Sequence, residues 1–194
     1  MRVSAVVLAA GKSSRMGTNK LLLSLGGKTV LEHILDRLAG YETVVVTGHN
    51  PEEVKKVAGR YGVKTVHNPD HEKGMTTSFQ TGLRETDSDA AFLVLGDTYG
   101  FSGTLLRRME EEMNDHPKAL LVSPVYEGRR GHPVLVRNLL FREFLDLGLG
   151  ETMRDVVDRH EEDHRYVEGD VWTVTDLDTP EDYEAARRLW ETRG

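Results

Sequence analysis

Residues 3–38 read VSAVVLAAGKSSRMGTNKLLLSLGGKTVLEHILDRL, and the order of patterns within them decides the fold. Val3 to Ala10 is a short, valine-rich apolar run of strand length. Gly11 to Asn19 is a glycine-containing loop, and Val30, Leu31, Ile34, Leu35 and Leu38 recur at the spacing that puts them on one helical face. Strand, loop and helix follow one another, and the alternation continues outward. Thr43 to Thr47 is β-branched and ends at Gly48, Asn50-Pro51 opens a charged helix reaching to about Gly59, and Val63 to Val66 reads as the next strand. A helix is expected from near Gly74, with Met75, Phe79 and Leu83 as its core face. Ala90 to Leu95 is continuously apolar, as in a strand covered on both sides. A helix over 102–115 with Leu105, Leu106, Met109 and Met113 inward then precedes a strand from Ala119 to Val125. Gly131 to Arg137 reads as a strand, 139–147 and 151–159 as helices, and 165–175 as one or two strands. Thr179-Pro180 with Asp182 starts a last helix whose inner face is Tyr183, Ala186 and Trp190. Such alternation builds a doubly wound, mostly parallel α/β sheet with helices on both faces, which holds ligands at the carboxyl ends of its strands. No repeat, linker or low-complexity tract divides the chain, so residues 1–194 are expected to form a single domain.

Composition narrows the function classes. Of the 194 residues 38% are apolar and 19 are glycine, which together supply a real core and exclude disorder as the main state. With no cysteine, there is no disulfide framework, thiolate nucleophile, iron–sulfur site or cysteine zinc knuckle. The longest apolar run, Ala5 to Ala10, falls far short of the ~20 residues that cross a bilayer. It leads straight into Lys12 and Arg15 and reads as a first strand rather than a signal peptide, so a cytoplasmic protein with no membrane span is expected. The formal charge is −7, yet residues 1–31 carry Arg2, Lys12, Arg15, Lys20 and Lys28 with no acidic side chain, while residues 151–194 hold 14 acidic and 6 basic ones. An acidic protein with one compact basic segment is a poor nucleic-acid binder and suits a small polyanion.

The basic segment is the loop Gly11-Lys12-Ser13-Ser14-Arg15-Met16-Gly17-Thr18-Asn19-Lys20, placed directly after the first strand, where backbone N–H groups can point at an anion. It is not a Walker loop, because the first glycine of that pattern would fall at Val6. Nor is it the dinucleotide pattern G-x-G-x-x-G, which would need glycine at Ser13 and Met16, so an oxidoreductase on a dinucleotide fold is disfavoured. Small residues allow close approach of a triphosphate, the serines offer hydroxyl donors, and Lys12, Arg15 and Lys20 neutralise charge. A solvated basic turn is the alternative that spacing alone leaves open.

The stretches LAAGKSSRMGTNKLLL, LGGKTVLEHIL, NPDHEKGMTTSFQTGL, LVLGD, GRRGHPVL and DLDTPEDYEAA run almost from end to end. In this order and spacing they resemble the MobA-like nucleotidyltransferases, most closely the molybdenum cofactor cytidylyltransferase branch. The resemblance implies a nucleotide-diphospho-sugar-transferase-like, Rossmann-like fold. It also implies a loop of Leu8, Ala9, Ala10, Gly11, Lys12, Ser13 and Ser14 that holds a nucleoside triphosphate, with Arg15 and Lys20 as the arginine and distal lysine of the family's catalytic set. Guanylyl-transferring members commonly read Leu-Ala-Gly-Gly where this chain has Ala10, which favours CTP over GTP. The implied reaction moves a nucleoside monophosphate onto the terminal phosphate of molybdopterin, with Mg²⁺ as cofactor and a molybdoenzyme or its chaperone as a partner for the product. The family usually carries a proline two residues after the strand-end aspartate. This chain has Thr98, Tyr99 and Gly100 there, in a loop expected to lie toward the acceptor, so another phosphorylated small molecule is the alternative acceptor. A nucleotide-binding module without turnover is the rival from another class.

Asp97 ends the strand Ala90 to Leu95 and is the expected Mg²⁺ ligand and catalytic carboxylate; a turn aspartate is the plain reading. Asp176 and Asp178 alternate on a strand-like approach to the last helix, and Asp178 is the favoured second metal contact, although an acidic residue also suits that helix start. His132 in Gly131-His132-Pro133 matches an element the family places along the acceptor side; a structural histidine before a proline is the alternative. Asn68 and Ser78 flank the helix start at Gly74 and are candidates for touching nucleotide or acceptor phosphate. His160-Glu161-Glu162-Asp163-His164 matches the zinc-protease pattern literally, but ends a helix and runs into a strand, so a solvated helix end is expected. His67 and His71 are four apart with Pro69 between them, which reads as a coincidence of a loop.

Overall fold

All seven residues of Val3–Ala9 are buried in the computed structural model, as a strand covered on both faces requires. This strand, β1, is the middle of the fold. The structure describes residues 1–148 and 150–192. After β1 come the hairpin strands β2 (Ser24–Leu25) and β3 (Lys28–Thr29), then α1 (Val30–Arg37), β4 (Glu42–Thr47), α2 (Glu52–Arg60), β5 (Lys64–His67) and α3 (Met75–Leu83). The second half runs β6 (Ala90–Leu95), α4 (Gly103–Asp115), β7 (Leu121–Tyr126), β8 (Arg129–Arg130), β9 (Val134–Arg137), α5 (Phe141–Leu145), α6 (Met153–Arg159), β10 (His164–Glu168) and α7 (Pro180–Glu191).

The main sheet has eight strands in the order β10-β7-β9-β6-β1-β4-β5, with β8 paired to β7. β1 pairs parallel with β4 and β6, β4 with β5, and β10 with β7. β9 lies antiparallel between β6 and β7. The chain leaves β1 for β4 and β5, then returns to β6 on the other side of β1. That reversal opens a crevice at the carboxyl ends of β1 and β6, where the glycine-rich loop and Asp97 emerge.

Alternate strand residues feed two cores. Ala5, Val7, Phe92 and Val94 pack with α1, α2, α4 and α7 on one face, and Val6, Leu8 and Leu93 pack with α3, α5 and α6 on the other. Local signals set the helix ends. Thr29 and Glu32 form a capping box on α1, Thr179 and Asp182 form one on α7 with Pro180 in its first turn, and the Ser102 side chain caps α4. Each cap satisfies end N–H groups and contributes about 1 kcal/mol.

Two expectations of the sequence are corrected, and one left open, one or two strands over 165–175, is decided. Met75 is not core: it is 59% exposed at the mouth of α3, whereas Phe79 and Leu83 are buried. The stretch 165–175 holds one strand, β10, followed by a 3₁₀ turn over Val171–Val174, because Trp172 and Thr173 turn inward there and are buried. The segment 139–147 divides into a 3₁₀ turn over Asn138–Leu140 and the short α5. No helix of the described residues is long and apolar enough to cross a membrane.

Candidate active site

The crevice at the ends of β1 and β6 has a volume of about 290 Å³ and is lined by Leu8, Ala10, Gly11, Ser13, Lys20, Leu95 and Asp97, with His71, Gly74, Met75 and Ser78 across from them. It continues outward into a polar basin of about 230 Å³ made by the glycine-rich loop itself, including Lys12, Ser14, Gly17 and Asn19, against His49 and Asn50. The loop keeps its shape by its own bonds: the Met16 N–H donates to the Ser13 carbonyl at 2.9 Å, and the Lys20 N–H to Ser13 Oγ at 3.2 Å. Ala9 points away from the crevice into the core, as its place in β1 dictates.

Charge concentrates at one end. Lys20 Nζ donates to Asp97 Oδ2 at 2.7 Å and to Asp178 Oδ1 at 3.0 Å, joining three distant parts of the chain. Burial opposes the lysine's charge, but the charge of Asp97 and the bonds to Asp97 and Asp178 outweigh it, and the ammonium is held above its ordinary range. Arg15 is largely exposed, with Nη1 3.6 Å from Asp178 Oδ2, while Lys12 Nζ pairs with Glu72 at 2.6 Å. Asp176 lies beside the pair. Burial first, then the charges of Asp97 and Asp178, raise its carboxyl above the usual range.

Two carboxylate oxygens converging on one cation are the donor type that Mg²⁺ takes when phosphates and water complete its shell. Among the described residues no group of three or more histidine, aspartate or glutamate side chains could hold a metal, so the protein alone builds no closed cage. The charge sum points the same way: Arg15 and Lys20 against Asp97, Asp176 and Asp178 leave one net negative charge, and a triphosphate needs a further cation beside them.

The other candidates divide. Ser78 is buried, lines the crevice and accepts from Asn68 Nδ2 at 3.0 Å. Asn68 lies behind the crevice wall, 1% exposed; its Oδ1 accepts from the Asp70 N–H at 2.9 Å and its Nδ2 also donates to Thr77 Oγ1 at 2.9 Å. It therefore acts on the site by holding the loop before α3. His132 lines a second cavity of about 250 Å³, which shares Met75 and Leu95 with the crevice and adds Ser123, Arg130, Arg154 and His164. Burial lowers the His132 imidazole below its ordinary range against the pull of Asp97, and its Nδ1 has no hydrogen-bond partner among the described residues.

The loop after Asp97 departs from expectation. Thr98 to Phe101 are all buried, and Tyr99 packs edge-on to Trp172 at 5.8 Å between ring centroids, so this loop turns into the core rather than toward an acceptor. The zinc-like pattern is broken by the fold: His160 caps α6 and meets Glu143 at 2.6 Å, while His164 opens β10 and meets Ser123 Oγ at 2.8 Å. His71, read from spacing as incidental, lines the crevice. Its position just before the start of α3, at the carboxyl side of β5, is the signal that would have found it.

A glycine-rich basic loop in contact with an acidic pair at the switch point of a mostly parallel sheet is the arrangement of the nucleotidyltransferase class. The chain belongs to the MobA-like NTP transferase family, whose domain matches residues 5–164. It is 26% identical over 192 residues, 97% of each chain, to the molybdenum cofactor cytidylyltransferase of Escherichia coli K12. It is also 26% identical to a probable molybdenum cofactor guanylyltransferase of Natranaerobius thermophilus, over 96% of this chain and 95% of that one. Among solved structures, a nucleotidyl transferase from Methanothermobacter superposes with a TM-score of 0.85 at 28% identity, covering 100% of this chain and 99% of the other. Rv0371c from Mycobacterium tuberculosis H37Rv, solved in complex with manganese, superposes with a TM-score of 0.79 at 26% identity, covering 99% of this chain and 100% of that one.

Proposed function

We propose that this nucleotidyltransferase moves CMP from CTP onto the terminal phosphate of molybdopterin, releasing pyrophosphate, with Mg²⁺ at Asp97 and Asp178. The observation that carries the reading is Lys20, at the end of the glycine-rich loop, bridging Asp97 and Asp178. An oxygen of the acceptor phosphate attacks the α-phosphorus, the bond from that phosphorus to the bridging oxygen of the β-phosphate breaks, and pyrophosphate leaves with its electron pair. A phosphate nucleophile is already anionic at neutral pH, so no triad or thiolate is needed. The chain supplies position and positive charge: Ala10, Gly11 and Ser13 let the nucleotide approach the backbone, and Arg15 and Lys20 face the charge that grows on the phosphate oxygens. Mg²⁺ bound there supplies charge neutralisation on those oxygens. The second cavity, adjoining the crevice along Met75 and Leu95, suits the acceptor, with Arg154 and His132 in its lining and with Arg130 there paired to Glu161 at 2.9 Å.

The test is pyrophosphate release with each of the four nucleotides, Mg²⁺ and molybdopterin, against a reaction lacking the acceptor. Release with CTP alone is expected. Asp97→Asn should lower the rate roughly 10²-fold or more while nucleotide binding is partly kept, the scale of losing one electrostatic partner of a transition state. Release only with sugar phosphates or other cofactor phosphates would replace molybdopterin as acceptor. Nucleotide binding without release with any of these acceptors would support the binding-module reading.

A further inference from the structure

We infer that His71 selects the nucleotide base, and that it selects one carrying an exocyclic amino group, taking cytosine over uracil. This rests on the nucleotide-transfer reading of the same crevice. The crevice lining is ionic at the Lys20 and Asp97 end and holds no carboxylate, lysine or arginine where Ala10, His71, Gly74 and Ser78 meet, the neighbouring Glu72 being paired with Lys12 at 2.6 Å. A nucleoside triphosphate is divided in the same way, so its phosphates belong with the loop and its base lies against His71.

The His71 ring is fixed from two sides. Its Nδ1 lies 3.2 Å from the Asn68 carbonyl oxygen. That carbonyl belongs to a residue whose side chain is committed to Asp70, Thr77 and Ser78 and whose N–H donates to the Thr47 carbonyl at 2.8 Å. On the other side the ring presses on Gly48: a Cβ there would sit 2.7 Å from His71 Cβ and Cγ, and 2.7 Å from the Ala10 carbonyl oxygen. Only glycine leaves room for the imidazole against the backbone of Ala10.

This arrangement dictates the chemistry the ring presents. A carbonyl oxygen only accepts, so Nδ1 carries a proton, and the neutral form of the ring is the tautomer whose Nε2 is a lone-pair acceptor. Nε2 has no hydrogen-bond partner among the described residues. An amino group donates to such an atom, whereas the O4 carbonyl that uracil carries in its place brings a second lone pair against it. Ser78 Oγ accepts from Asn68, which leaves its own proton to donate to a base carbonyl. A buried group built for one partner rejects the analogue that lacks it, and the cost is an unpaired or repelled polar atom.

Binding of CTP and UTP is measured by calorimetry with Mg²⁺ and no acceptor, for the whole protein and for His71→Leu and His71→Gln, with thermal melts as the folding control. The unsubstituted protein should bind CTP at least about tenfold more tightly than UTP. His71→Leu should bring the ratio near one by weakening CTP. His71→Gln should keep CTP binding and gain UTP, because an amide offers both a donor and an acceptor. Where His71→Leu fails to melt cooperatively, the His71→Gln ratio decides. Equal binding of CTP and UTP by the unsubstituted protein overturns the inference, as does a preference for CTP that survives in folded variants. Absence of binding by every nucleotide overturns the nucleotide-transfer reading as well, which separates the two failures.

Discussion

Asp176 stands beside the Lys20–Asp97–Asp178 cluster with its carboxyl raised above the usual range. Partial desolvation and the charges of Asp97 and Asp178 raise it, and Lys20 and Arg129 oppose them. Its carboxyl is raised, so the folded chain holds a proton to higher pH than the unfolded chain does. The stabilising contribution of this group is therefore present below the folded value and lost as pH rises through it. At pH 7.5 Asp176→Asn should stabilise the protein, with a gain in melting temperature that shrinks as the pH falls to 4 and the wild-type carboxyl takes up its proton. A lower melting temperature at both values would show instead that the carboxylate makes a needed contact. Stabilisation by Asp176→Asn would mean that the wild-type carboxylate trades stability for negative charge beside Lys20, at the place proposed for the divalent cation.

At the scale of elements, α1, α4 and α7 could be read from the chain because each carries both an apolar stripe and a local start signal: Thr29 with Glu32, Ser102, and Thr179 with Pro180 and Asp182. The segment 171–174 could not. Val171-Trp172-Thr173-Val174 alternates like a strand, and its 3₁₀ form depends on Trp172 meeting Tyr99 and Trp190, contacts remote in sequence. Asp97 was legible as a strand-end carboxylate, whereas the wall built by His71 was not, since it depends on Gly48 and Asn68 at the ends of other strands. The pairing of β7 with β10 hides a further dependence. His164 is buried against Ser123, and burial together with Arg130 lowers its imidazole to about 4, with Glu161 and Asp158 pulling the other way. Between pH 6.5 and 4 the unfolded chain takes a proton that the folded chain refuses, so stability is full above that window and falls by about 3 kcal/mol across it. Urea unfolding at pH 7.5, 5.5 and 4.5 should show that His164→Gln loses less stability on acidification than the wild type. Parallel losses in the two proteins would place the acid sensitivity elsewhere.

At the scale of the whole molecule, the site is closed by parts of the chain that begin and end it. Lys20 and Asp178 are 158 positions apart and meet at 3.0 Å, which no local pattern in the sequence announces. What brings them together is α7, and what seats α7 is Trp190. Its ring lies 4.3 Å from His33, 5.4 Å from Trp172 and 6.0 Å from Tyr99 between centroids, and it fills the space beside Gly26 so closely that a Cβ there would be 2.6 Å from Nε1. Asp178 stands just before the first turn of α7, so the helix carries the carboxylate with it. Trp190→Ala should cost about 3 kcal/mol, the lower end of the range for emptying a tryptophan site because this ring is only partly buried. It should also weaken binding of CTP with Mg²⁺ about tenfold, a coupling of roughly 1.4 kcal/mol, measured well below the unfolding midpoint. Asp178→Asn supplies the comparison: the same loss of affinity with little loss of stability. If Trp190→Ala destabilises the fold while CTP binding stays at the wild-type level, Asp178 is held in place by the segment before α7 and not by the docking of the helix.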